Sequence, residues 1–314
     1  MGRQRKGRSI NGILIVNKPK GITSNSTLQR VKRLFNAAKA GHTGILDPLA
    51  TGVLPICFGE ATKFSQFILD SDKAYFATIQ LGIATSTYDC EGEVTARCDA
   101  SAITEIQVDR ALETFRGDIM QVPPMVSALK HQGKPLYKLA REGKEVERSP
   151  RDVSIYSMQL LEFRSGDVAE VDLAVHCSKG TYIRSIAHDL GQALECGGHV
   201  KHLHRSMAGP FKDENSVAIE ELEDLASDGG FEALDGLLMP ADAGLQTLPS
   251  VAVDDNSAHY FLHGQAVFYP QVYQVGEQGD KVRVSCLAHG FLGVAEITDD
   301  GRIAPRRVFA INAL

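Results

Sequence analysis

One carboxylate in this chain sits in a setting suited to chemistry: Asp47, within Gly41-His42-Thr43-Gly44-Ile45-Leu46-Asp47-Pro48-Leu49-Ala50-Thr51-Gly52-Val53-Leu54-Pro55. An aspartate with an ordinary pKa of about 3.9 is ionised at neutral pH, so Asp47 suits a nucleophile or a base better than an acid. Pro48 fixes the following backbone angle, Gly44 and Gly52 permit tight turns, and Thr43 and Thr51 can hydrogen-bond loop backbone. An isolated Asp-Pro reads as a plain turn. The full Gly- and Pro-fixed string shifts the reading toward a loop that presents one acid.

The charge around that acid suggests its substrate. Residues 1–46 hold Arg3, Arg5, Lys6, Arg8, Lys18, Lys20, Arg30, Lys32, Arg33 and Lys39, with no Asp or Glu. The whole chain has 33 Lys and Arg against 39 Asp and Glu, so the remainder is strongly acidic, most of all over 212–300. A second basic stretch, 125–151, carries Lys130, Lys134, Lys138, Arg141, Lys144, Arg148 and Arg151. Separated basic stretches that converge on one face would bind a phosphate backbone, with affinity falling steeply in salt. The competing reading is solvated surface charge, and for residues 1–9 it is preferred.

The elements that must position these residues follow from periodicity. Gly12–Asn17 reads as a strand, and Ser24–Asn36 as a helix capped near Thr23 or Ser24 with Leu28, Val31, Leu34 and Phe35 on one face. Val53–Phe58, Tyr75–Leu81, Val153–Phe163 and Val168–Cys177 read as strands, and Glu60–Leu69, Thr104–Phe115 and Thr181–Leu194 as helices. Pro123-Pro124 opens the second basic stretch, expected to be partly helical around Leu136–Arg141. A boundary is expected between about Asp242 and Pro249. Beyond it come a short helix near Asn256–His263 and strands at Val267–Val275, Val282–Leu287, Leu292–Ile297 and Val308–Ile311. Strands and helices without a regular βαβ beat indicate an α+β fold with a mixed or antiparallel sheet.

Other classes are disfavoured. No apolar run approaches a membrane span, and Ile10–Val16 is too short and polar for a secretory core. The six cysteines lack any CxxC and the ten histidines lack metal-site spacing, so no metal is expected, and a cytoplasmic location with reduced thiols fits.

With these residues in view, the chain resembles the TruB family of tRNA pseudouridine synthases. Gly41–Pro55 resembles its catalytic loop, and Val16-Asn17-Lys18-Pro19-Lys20-Gly21-Ile22-Thr23-Ser24 its first motif, with Asn17 where some members have Asp. His176-Cys177-Ser178-Lys179-Gly180-Thr181-Tyr182-Ile183-Arg184 resembles a later catalytic motif. Gly198-His199-Val200-Lys201-His202-Leu203-His204-Arg205 resembles a pocket-closing segment, with His204 where Arg is usual.

The resemblance implies the pseudouridine synthase fold: a mixed or antiparallel central sheet flanked by helices, with a catalytic domain over 1–245, a thumb-like RNA-binding insertion at about 122–152, and a small β-rich PUA-like domain over 246–314. It implies isomerisation of uridine 55 in the TΨC arm of tRNA by a stand-alone monomer without cofactor. Asp47 would be the catalytic carboxylate, Arg184 its partner, and Tyr75 the ring stacked on the flipped uracil. Tyr182 and Leu203 would line and close the pocket, and His42 would fill the space the nucleotide leaves. Lys18, Lys63, Lys130 and Arg205 complete the expected substrate-binding set. Tyr182 and Arg184 diverge on an ideal helix, so Tyr182 is expected to precede it. The alternatives are a guide-RNA-dependent pseudouridine synthase, which shares the catalytic loop, and a non-catalytic tRNA-binding or folding protein.

Overall fold

Strand Gly12–Lys18 is almost wholly buried along its length, as a continuous apolar run through Ile13, Leu14, Ile15 and Val16 requires. The computed structural model to which it belongs describes residues 7–310. The chain divides into two compact units, neither continuous: the first runs to Leu46, resumes over Val53–Asp70 and again from Gly209, and the second comprises Asp47–Gly52 and Ser71–Ala208.

In the first unit, Gly12–Lys18 pairs in parallel with Val217–Ala218 and lies beside the strand that continues to Phe58. Helix Ser24–Leu34 starts where Thr23 accepts from the Ser26 N–H (3.0 Å) and ends with Lys32 and Arg33 in its last turn, favourable at the negative end of the helix dipole. Leu28 and Val31 from this helix join Leu14, Val16, Phe35 and Phe58, with the two phenyl centroids 4.9 Å apart. The helical segment Ile219–Asp235, kinked at Gly230 and not among the expected elements, closes this core with Ile219, Leu222 and Leu234. Each fully buried aliphatic of this kind contributes roughly 1.5–3 kcal/mol. The same helix neutralises part of the basic leading segment: Glu223 accepts two bonds from Arg30, each 2.7 Å, and Asp235 pairs with Arg8.

The first unit also contains a five-stranded sheet in the order Ser250–Val253, Lys281–Cys286, Gly290–Ile297, Arg302–Val308, Val267–Phe268. Its first pair is parallel and the others antiparallel. Helix Asp255–Leu262, capped by Asp254, packs Phe261 against Val251, Val284 and Ile303. Two expectations need correction. Val267–Val275 is a strand only to Phe268, because Pro270 follows, and Val272–Val275 turns into a helix. The last strand is Arg302–Val308, ending at the residue where the expected strand Val308–Ile311 was to begin, and Ile311 lies outside the described residues.

The second unit is built on an antiparallel run of strands in the order Gly198–Ala208, Lys73–Leu81, Glu170–Cys177, Arg151–Arg164, Gly117–Gln121. Thr51 and Gly52 pair in parallel with His204 and Arg205, which makes the sheet mixed. Alternation sorts the faces: Ala77, Ile79, Leu81, Val171, Leu173, Val175 and Cys177 are buried, and helix Ile183–Ala193 adds Ile183, Ile186, Ala187 and Leu190 to the core. Helix Glu105–Leu112, capped by a reciprocal Thr104–Gln107 pair, adds Val108 and Leu112. The basic insertion contains the hairpin Lys130–His131/Lys134–Pro135 and helix Leu136–Arg141. Strands Gly117–Gln121 and Gly198–Ala208 carry too little strict alternation to be read from sequence.

Candidate active site

Asp47 opens a turn closed by Ala50, whose N–H donates to the Asp47 carbonyl at 3.0 Å; Pro48 occupies the position after Asp47, where a fixed φ suits a turn. The loop is then locked to strand Gly198–Ala208. Thr51 Oγ1 and His204 Nδ1 share a 2.8 Å hydrogen bond, and Gly52, at φ +102°, faces the Arg205 backbone. A Cβ at residue 52 would lie 2.9 Å from Arg205 N and collide with the Arg205 carbonyl, so glycine there is a requirement of close approach as well as of φ.

Tyr182 precedes helix Ile183–Ala193 in extended geometry (φ −105°, ψ 107°), as expected, and Arg184 falls in the first turn. Arg184 is 3% exposed and uses its whole guanidinium. Nε donates to Asp47 Oδ2 at 2.9 Å, Nη1 to Thr87 O at 3.0 Å and Nη2 to Val126 O at 2.8 Å. Asp89 Oδ2 stands 3.6 Å from Nη1, and the side chain is itself buried, its other oxygen, Oδ1, accepting from Thr87 Oγ1 and from the Glu91 N–H. A buried guanidinium thus sits between one sealed carboxylate, Asp89, and one that reaches solvent, Asp47, whose side chain is 31% exposed. Charge-assisted bonds of this kind fix both charge and direction. Asp89 was not anticipated, since a carboxylate in the segment Thr87-Tyr88-Asp89 has no motif or periodicity to mark it.

Two phenols complete the constellation. Tyr75 lies on Lys73–Leu81, opposite Arg205 in register. Burial pushes its hydroxyl above the usual range, the Arg205 guanidinium pulls it partly back, and the Asp47 carboxylate pushes it up. Tyr182 is raised as well, again chiefly by burial, with Arg184 opposing and Asp47 adding to it. Both phenols are therefore neutral near pH 7. Leu203, buried, pairs with Ala77 on the adjoining strand.

Asp47, Arg184, Tyr75, Tyr182, Leu203 and Arg205 all belong to the second unit, as does Lys130, which lies exposed in its hairpin. His42 lies in the first unit, half-buried on strand Ala40–His42 and paired with Ile56. Two residues of the expected substrate-binding set are enclosed by the fold. Lys18 is fully buried, its ammonium donating to Pro19 O (2.8 Å) and Ile22 O (2.7 Å), so it braces the following turn and does not offer a surface charge to phosphate. Arg205, 1% exposed, faces Tyr75 and not solvent. Lys63 donates to Val308 O at 3.0 Å and pairs with Glu60, which ties its charge to structure.

The arrangement provides one oriented, partly exposed carboxylate whose charge is felt by two neutral phenols. Among the described residues no cluster of His, Cys, Asp and Glu is placed to hold a metal ion. Hydrolysis of a glycosidic bond generally employs two carboxylates, one to protonate the leaving group. Asp89 cannot fill that place because it is sealed behind Arg184.

Comparison with known proteins points to the same chemistry. Residues 32–183 match the family described as TruB family pseudouridylate synthase (N terminal domain). Residues 184–246 match tRNA pseudouridylate synthase B C-terminal domain, and 249–309 match Pseudouridine synthase II TruB, C-terminal. The chain is 57% identical over 306 residues to tRNA pseudouridine synthase B of Saccharophagus degradans, covering 98% of each. To the Stutzerimonas stutzeri protein of the same name it is 54% identical over 305 residues, covering 97% of each. Among solved structures, a Cbf5-Nop10-Gar1 complex superposes with a TM-score of 0.73 at 27% identity, over 95% of this chain and 85% of that one. An H/ACA RNP bound to a substrate RNA containing 2'-deoxyuridine gives 0.72 at 24% identity, over 99% and 92%, a likeness of fold.

Proposed function

This chain belongs to the TruB family and is a tRNA pseudouridine synthase of that type, and from this premise we propose that it isomerises uridine 55 in the T arm, on a nucleotide swung out of its loop. No helix among the described residues is long and apolar enough to cross a membrane. The protein acts as a cytoplasmic monomer without an obligatory protein partner.

The reaction breaks N1–C1′, turns the base and joins C5 to C1′; a proton leaves C5 and one is gained at N1, so no redox equivalent is consumed. Asp47 supplies the only chemistry that needs a charge, either adding to C1′ or taking the 2′ hydrogen. A primary isotope effect at C2′ separates these routes. Arg184 holds the carboxylate ionised and aimed. Tyr75 stacks on the extruded uracil, while Tyr182 and Leu203 line the pocket. Extrusion costs a few kcal/mol of stacking and pairing, which His42 offsets by stacking in the vacated space. Lys130 and its basic neighbours in the thumb-like insertion contact the T-arm backbone, where shape and phosphate carry recognition.

The observation that carries this reading is the 2.9 Å bond from Arg184 Nε to a carboxylate that still reaches solvent. The test is a bare T-arm hairpin incubated with purified protein. Wild type should form pseudouridine unaided, and Asp47→Asn should bind the RNA and form none. Turnover only on addition of other proteins would move the chain to the guided class, and an unaltered rate in Asp47→Asn would remove the assigned catalyst.

A further inference from the structure

Gln121 ends strand Gly117–Gln121, at the root of the basic insertion, and its side chain is 2% exposed. A buried primary amide costs about 1–3 kcal/mol unless its donor and acceptor are both used. Here they are used on a single residue. Gln121 Oε1 accepts from the Tyr182 N–H at 2.7 Å, and Gln121 Nε2 donates to the Tyr182 carbonyl at 3.0 Å.

Tyr182 is the residue at which that support matters. It is the N-cap of helix Ile183–Ala193, and it makes no side-chain capping bond of its own. An N-cap N–H has no partner within its helix. Its carbonyl already receives the Ser185 and Ile186 N–H groups at 3.1 and 3.2 Å. Gln121 thus caps the helix from another strand and fixes the direction in which the chain enters it. Two residues later the same helix presents Arg184 to Asp47.

The segment after Gln121 strengthens the join. Ser185 Oγ donates to Val122 O at 2.7 Å, and Arg184 Nη2 donates to Val126 O at 2.8 Å. Three anchors, at residues 121, 122 and 126, clasp the turn that holds Tyr182 and Arg184.

We propose that Gln121 is a positioning residue for the isomerisation: it sets the Tyr182 backbone and, through it, the aim of Arg184 on Asp47, and it ties the thumb-like insertion to that pair. The inference rests on the catalytic reading of Asp47 and Arg184 given above. Gln121 touches neither carboxylate nor substrate; it acts through the two residues it orients.

The test compares Gln121→Met, which keeps the shape and loses both bonds, with Gln121→Glu, which keeps an acceptor for the Tyr182 N–H and loses the donor to its carbonyl. Single-turnover rate on the T-arm hairpin, hairpin affinity and melting temperature are read for each. Misplacing reacting groups by about 1 Å costs on the order of 100-fold in rate. Gln121→Met should therefore lose about 10- to 100-fold in single-turnover rate with affinity changed less than about threefold, and Gln121→Glu should fall between it and wild type. In an Arg184→Lys background the loss caused by Gln121→Met should shrink, since both act on one contact. Should Gln121→Met prove insoluble, Gln121→Glu and its cycle with Arg184→Lys carry the test. Folded variants at the wild-type rate, a defect confined to affinity, or full additivity with Arg184→Lys would overturn the inference. Absence of any pseudouridine from wild type would instead strike the functional reading.

Discussion

Gly52→Ala changes a residue with no chemistry of its own, yet it should disable the enzyme. A Cβ at this position meets Arg205 N at 2.9 Å and the Arg205 carbonyl carbon at 3.0 Å, where ordinary contact begins at 3.4 Å. The obstacle is backbone in the middle of a paired strand, so the loop must yield, by roughly half an ångström or more on these contacts. The φ of +102° adds a cost of about 1–2 kcal/mol for any side chain. Because Gly52 closes the loop that Asp47 opens, displacement passes to a carboxylate whose bond to Arg184 is 2.9 Å and leaves little slack. A shift approaching 1 Å predicts a loss on the order of 100-fold in single-turnover rate. The assay is pseudouridine formation on the T-arm hairpin with enzyme in excess, beside a binding isotherm and a thermal melt. The expected result is a slow enzyme that binds RNA within a few-fold of wild type and melts several degrees lower. A Gly52→Ala protein with the wild-type single-turnover rate would refute the argument that this close approach sets the position of Asp47.

Other outcomes follow from the same geometry. Arg184→Met removes the cation that faces both Asp47 and the sealed Asp89, and leaving a buried charge unpaired costs about 3–5 kcal/mol, so urea melts should show that loss alongside abolished turnover. On the second unit's sheet, Arg164 holds the Asp172 carboxyl below its usual range, and Lys201 does the same for Glu170, with Arg164 assisting. Carboxylates depressed in the folded state contribute stability that is present above their unfolded pKa and lost as pH falls through the folded one. Melting temperature should therefore drop on acidification below about pH 4, and Arg164→Met should lower it at pH 7 while flattening that acid limb. An acid limb of unchanged steepness in Arg164→Met would count against the network.

The extent to which sequence disclosed the site depends on how local each cause is. Tyr182 was expected to precede its helix because residues two apart diverge on a helical surface, and its extended φ and ψ agree. Helix Ser24–Leu34 and the strands around Tyr75 and Val175 followed from apolar spacing that the core uses directly. Asp89 and Gln121 escaped notice because their partners lie far along the chain, and nothing near them marks a buried polar side chain. Lys18 and Arg205, which the resemblance placed in the substrate-binding set, are both buried, and a sequence does not reveal which cations folding will enclose. The acidic composition past residue 212 is plain in the sequence, but not that Glu223 and Asp235 pair with Arg30 and Arg8.

The interruption of each unit by the other has a consequence for biosynthesis. Asp47 is translated early, but Arg184, Tyr182 and the strand that pairs with Thr51 and Gly52 emerge from the ribosome far later. The acid loop has nothing to close against in a nascent chain, and contacts between such distant segments form slowly. An incomplete product ending before Gly198 would lack the strand that pairs with Thr51 and Gly52, and with it the seat of the acid loop.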